Sequence, residues 1–155
     1  MIEVHEVLLE SQAASELLIL PFELRQKSRQ RATSVAGTQF ALLLPRGTVL
    51  RDGDRLRAVN GLIIAVQAAT EFVSTARSDD ITRFARVCYH LGNRHMPLQI
   101  GAGWLRYLAD HVLDQMVTEL GLAVVHEQAP FEPEAGAYHQ HGQAGAVVFR
   151  RHHGH

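Results

Sequence analysis

One cysteine, Cys88, is the whole thiol complement of 155 residues. No internal disulfide is available to it, so the expected compartment is a reducing cytoplasm. Aromatic residues make up only 6% of the chain. None interrupts the basic run Arg25-Gln26-Lys27-Ser28-Arg29-Gln30-Arg31, and a basic stretch without stacking platforms argues against nucleic acid. An excess of one charge is missing as well: the formal net charge is −1 with histidine neutral. That leaves no electrostatic footprint for nucleic acid or an anionic membrane. No apolar run approaches the roughly 18 residues that a membrane span needs. The opening Met1-Ile2-Glu3-Val4-His5-Glu6 lacks the basic and apolar regions of a secretory signal. Also absent are a G-x-S-x-G elbow, a P-loop and an H-E-x-x-H pair. The carboxylates between Glu127 and Glu134 are broken by two prolines and lack a base with an orienting partner. No catalytic activity is expected.

Histidine is what the chain has in excess. There are ten, and five of them, His139, His141, His152, His153 and His155, fall in the last seventeen residues. Neutral imidazole is a good ligand for borderline metal ions and titrates near physiological pH. Composition alone therefore points toward metal binding. With 46% apolar residues the chain has enough to fold, as one ordinary domain or two small ones.

The first part reads as strands and tight turns. Val7 to Leu9, Ser15 to Leu20 and Phe40 to Leu44 are apolar runs punctuated by Pro21 and by Pro45-Arg46-Gly47. Leu56 to Val66, split by Asn60-Gly61, predicts a β-hairpin with a type I′ turn. No helical period is visible there. From Phe72 onward the pattern changes to strand, helix, strand, strand, helix, strand. Ser78-Asp79-Asp80 caps a helix whose expected apolar face is Ile81, Phe84, Ala85, Cys88 and Leu91, ended by Gly92. A second helix is expected to present Leu105, Leu108, Ala109, Val112, Met116 and Leu120, with Gly121 as its stop. That order is the ferredoxin-like βαββαβ unit. The expected fold class is α+β: a small all-β domain over residues 1–71, a ferredoxin-like domain over 72–138 and a flexible His-rich tail over 139–155.

His95 lies just past the first of these helices, in Gly92-Asn93-Arg94-His95-Met96-Pro97. A ring in such a connection projects from the surface while rigid elements hold its base, although an ordinary surface histidine fits the spacing too. One imidazole is too few for most metal sites, and a two-fold axis would supply a second copy. In His139-Gln140-His141, and again in His153 and His155, residues two apart in extended chain point the same way and reach one ion; a solubilising tail is the plainer reading. His111, three residues from Asp114 and expected to touch it, is a weaker auxiliary ligand. His90 complements the dipole at the end of the first helix; His5 and His126 read as strand residues and Cys88 as a core thiol. The Arg25 to Arg31 run reads as a solvated strand edge, where cations discourage unwanted pairing, or as a site for phosphate or an acidic partner.

The segments Leu24-Arg25-Gln26-Lys27-Ser28-Arg29-Gln30-Arg31, Leu44-Pro45-Arg46-Gly47, Leu91-Gly92-Asn93-Arg94-His95 and Ala129-Pro130-Phe131-Glu132-Pro133-Glu134-Ala135-Gly136-Ala137-Tyr138 closely resemble the urease accessory protein UreE family, in that family's order. The resemblance implies a nickel metallochaperone with an N-terminal β domain and a C-terminal ferredoxin-like metal domain. It also implies a homodimer through the second domain, with the residue matching His95 from each subunit sharing Ni(II). The implied partners are the GTPase UreG and the urease apoprotein complex. Some members carry a His-x-His pair in the second helix, whereas here Ala109 stands at the first position and only His111 remains. Imidazole also accepts Zn(II) and Cu(II), so both are expected to bind in vitro. The alternative without the resemblance is a histidine-rich metal buffer or sensor with a protein-binding β domain.

Overall fold

The structure, a computed structural model, describes residues 1–135. They form two compact units, Met1–Ala69 and Thr70–Glu134. The His-rich tail expected over 139–155 lies outside the described residues.

In the first unit, strands β1 (Ile2–Leu8), β2 (Glu16–Leu20), β3 (Arg29–Thr33), β4 (Gln39–Leu43), β5 (Arg55–Ala58) and β6 (Ile63–Ala68) make one sheet in the order β2-β6-β5-β1-β4-β3. The pairs β1/β4 and β2/β6 are parallel and the others antiparallel. The sheet curls until its two outer strands approach each other. Val35 N–H donates to the Leu17 carbonyl at 2.9 Å, and the Glu16 carboxylate accepts from Ser34 Oγ at 2.5 Å and Thr38 Oγ1 at 3.1 Å. Alternate residues point inward along each strand, and Val4, Leu18, Phe40, Leu42, Leu56 and Ile64 are fully buried there.

Two local expectations change. The Asn60-Gly61 hairpin forms, but Asn60 keeps a negative φ and only Gly61 is left-handed, at +92°. Gly61 N–H donates to the Ala58 carbonyl and Ala58 N–H to the Leu62 carbonyl, which makes a three-residue loop with glycine at its bulge rather than a type I′ turn. Second, a four-residue helix, α1 (Phe22–Arg25), interrupts what reads as all strand. It carries Arg25 inside the unit, fully buried, with Nε donating to the Leu20 carbonyl (3.0 Å) and Nη1 to the Leu50 carbonyl (3.2 Å). Arg25 is thus a structural cation that satisfies two carbonyls, not part of a solvated edge. The edge reading does describe Arg29 and Arg31, exposed on the outer strand β3.

The second unit runs β7 (Thr70–Arg77), α2 (Ile81–Gly92), β8 (Gln99–Gly101), β9 (Trp104–Leu108), α3 (His111–Glu119) and β10 (Val124–Pro130). Its antiparallel sheet has the order β10-β7-β9-β8. Ala76, Leu105 and Tyr107 on the sheet pack with Val87 and Leu91 of α2 and Leu113 and Val117 of α3. Asp80 caps α2 by accepting from Arg83 N–H at 3.0 Å. Asp110 caps α3 by accepting from Val112 and Leu113 N–H.

The expected helix faces are corrected in two ways. Trp104 to Leu108 is strand: Leu105 and Tyr107 are buried while Trp104, Arg106 and Leu108 alternate to the other face. The Asp110 cap then starts the helix later than its apolar pattern suggests. In α2, Ile81 is 84% exposed and Ala85 is exposed too, because the core takes Val87 and Leu91 with Phe84 and Cys88 partly buried. Burial pushes the Cys88 thiol up, as befits a packing residue. Among the described residues no helix is long and apolar enough to cross a membrane.

Candidate functional site

His95 sits where α2 runs out. The glycine expected to stop that helix, Gly92, is itself helical, and the chain tightens through Arg94 N–H to the Leu91 carbonyl and His95 N–H to the Gly92 carbonyl at 3.0 Å. The left-handed residue that ends the turn is His95, with φ of +54°, the only non-glycine with positive φ among the described residues. Glycine normally takes this place because it has no Cβ to crowd the following carbonyl. The connection is anchored on both sides: Leu91 and Leu98 are buried and Met96 packs partly on the same core. The His95 side chain itself is exposed. It has no hydrogen bond or ion pair among the described residues.

His111 is the first residue of α3 and exposed. Its expected contact with Asp114 is not formed. Asp114 turns instead to the sheet, accepting from Tyr107 Oη at 2.7 Å and from His126 Nε2 at 2.7 Å. Tyr107 and His126 flank Ser74 in one row across three strands, so the carboxylate pins α3 to the sheet at that row. Desolvation pushes the Asp114 carboxyl up, but the hydrogen bonds from Tyr107 and His126 outweigh it and the net value is lowered. Tyr107 is raised, by burial first and then by its bond to that carboxylate. His126 also rests on Phe72, with ring centroids 5.4 Å apart. It is a strand residue as expected, with a partner that spacing along the chain did not reveal. His5 bonds Glu3 at 2.9 Å, and His90 meets Tyr89 edge-on.

No group of three or more His, Cys, Asp or Glu residues comes together to hold a metal ion among the described residues. The other candidate ligands, His139, His141, His153 and His155, lie outside them.

Comparison with known proteins bears on the whole chain. Residues 3–69 match the model for the UreE urease accessory protein, N-terminal domain, and residues 71–155 match that for its C-terminal domain. The chain belongs to the UreE family. The urease accessory protein UreE of Alkalilimnicola ehrlichii is 58% identical over 138 residues, covering 89% of this chain and 85% of that protein. The UreE proteins of Vibrio parahaemolyticus (50% identical; 90% and 84% covered) and Ralstonia nicotianae (49%; 88% and 71%) are similar along comparable spans. Membership assigns a part in urease maturation, as an accessory protein rather than as the urease. The fold places the Leu24 and Leu44 motifs in the first unit and the His95 motif in the second.

Proposed function

We propose that this UreE-family chain binds Ni(II) as cargo and delivers it while the urease active site is assembled, with His95 as the central ligand. The observation that carries the reading is the left-handed backbone at His95. A strained non-glycine φ on an exposed residue, held between buried anchors, marks a position where the side chain matters more than the local backbone cost.

One imidazole does not complete a coordination sphere. The reading therefore takes a homodimer through the second unit, in which two His95 rings share the ion and His139, His141, His153 and His155 supply further nitrogens. Support for the dimer comes from α2. Ile81, Ala85 and Tyr89 recur at four-residue spacing, and Ile81 and Tyr89 are 84% and 65% exposed. This apolar stripe runs beside the core-facing one and leads toward His95, as a self-complementary interface requires. We read the second unit as ferredoxin-like, on the order β-α-β-β-α-β and the placing of the first strand between the third and the last. His111 is at most an auxiliary ligand, since Ala109 offers no second imidazole beside it. Zn(II) and Cu(II) are expected to compete, because imidazole suits all three ions. The recipient is the urease apoprotein complex, reached through the GTPase UreG in the cytoplasm.

Nickel calorimetry on the wild type, on His95→Ala and on a chain ending at Tyr138 tests the assignment. The expected result is a large loss of affinity in His95→Ala and a smaller loss, or fewer ions bound, on truncation. Unchanged stoichiometry and affinity in His95→Ala would refute it. Loss on truncation alone would favour a tail-based metal buffer.

A further inference from the structure

Two motifs remain unused by metal binding: the basic run after α1 and Pro45-Arg46-Gly47. Distant in sequence, they converge on one cleft of the first unit, about 700 Å³ in volume, bordered by Lys27, Arg29, Leu43, Pro45, Arg46 and His5. Lys27, Arg29 and Arg46 are exposed there, and their side chains have no ion pair or hydrogen bond among the described residues. The first cation of the run, Arg25, is buried and occupied with backbone carbonyls. The run is therefore divided between one arginine that builds the unit and others that face solvent. No carboxylate is among the residues that line the cleft, and His5 at its rim bonds Glu3.

We propose that this cleft and the adjoining outer strand β3 receive an extended, carboxylate-rich segment of a partner protein. Three observations select that occupant. The cleft is of a size that accepts several residues of peptide rather than one small anion. No Phe, Tyr or Trp borders it, and its one ring, His5, is bonded to Glu3, so it lacks the row of stacking platforms that holds single-stranded nucleic acid. The cations also continue along β3, where Arg29 and Arg31 project on one face two residues apart, opposite Leu43 and Ala41. Alternate side chains of an extended chain repeat at about 6.8 Å, so acidic residues at every second position of a partner meet these arginines in register. Among the described residues the backbone of β3 pairs only with β4, and β3 is the last strand of the sheet's order; the approach to β2 begins past its end, at Val35, which leaves the kind of edge that extended segments recognise. This inference is independent of nickel binding by His95, which lies in the other unit.

Fluorescence anisotropy with the full chain and labelled decaglutamate, with decaserine as control, tests it. Wild type is expected to bind decaglutamate at low ionic strength, to release it as salt rises, and to ignore decaserine. Arg29→Glu with Arg46→Glu is expected to weaken binding by about tenfold or more. Arg29→Lys with Arg46→Lys retains most of it, because the charge is kept. Both variants replace exposed residues, and their circular dichroism and nickel titration are expected to match wild type. The proposal is overturned if wild type does not bind decaglutamate or if the double charge reversal binds it unchanged. Displacement by millimolar inorganic phosphate, which would mark a small-anion site, or tighter binding of oligothymidylate also overturns it.

Discussion

Replacing His95 by glycine and by alanine separates two things that the native histidine combines. At φ of +54° any L-residue brings its Cβ against the following carbonyl, at a cost of about 1–2 kcal/mol. Glycine removes that cost but gains about 0.4–1 kcal/mol of conformational freedom in the unfolded chain. The net effect of His95→Gly is a stabilisation of about 0.8 kcal/mol at the middle of these ranges. His95→Ala keeps the Cβ and, being exposed and unbonded, changes stability by less than about 0.5 kcal/mol. Both remove the imidazole. Urea denaturation of metal-free protein at one fixed concentration is the assay, since ligand or self-association would shift the apparent stability. Thermal melts are expected to show His95→Gly about 1–4 °C above His95→Ala for a chain of this length. If glycine gives no gain over alanine, the backbone at His95 is not strained and the observation behind the proposed function is withdrawn. If glycine stabilises and nickel binding persists, the strain is real but the ligand assignment is wrong.

Arg25→Met keeps much of the buried side chain's volume but leaves the Leu20 and Leu50 carbonyls without their donors. A loss of about 2–4 kcal/mol is expected in urea denaturation, and a loss below ~1 kcal/mol would mean the guanidinium behaves as a surface charge. Tyr107→Phe removes a charge-assisted bond to Asp114 and is expected to cost about 1.5–3 kcal/mol, read from the same assay. The Asp114 carboxyl is lowered in the folded state. Its contribution is therefore fully present above the unfolded value of about 4 and is lost as pH falls through the folded value. Asp114→Asn is expected to flatten that acid-side decline in midpoints measured from pH 7 downward; an unchanged decline would assign it to other carboxylates.

Pattern along the chain carried the order of elements wherever a local signal was strong. The Asn60-Gly61 hairpin, the Asp80 cap and the Gly121 stop each rest on residues adjacent in sequence, and each is seen. The errors came where two periodicities overlap. Leu105, Leu108 and Val112 fit a helix by spacing, yet the Tyr107 side chain gains more by entering the core from a strand beside Ser74. Likewise Ile81 and Ala85 fit the apolar face of α2, but spacing does not say which of two neighbouring apolar stripes the sheet covers.

The sequence by itself determined the family, the two-part organisation and the chemistry on offer: ten imidazoles, one of them in Gly-Asn-Arg-His, and no thiol pair or catalytic motif. Those are properties of residue type and local order. Only the tertiary structure decided that His95, not Gly92, takes the left-handed turn, that Asp114 bonds Tyr107 and His126 rather than His111, and that one cation of the basic run is interior while its neighbours line a cleft. Each of these depends on which distant strand or carbonyl lies within about 3 Å of a group, a quantity that chain spacing does not encode.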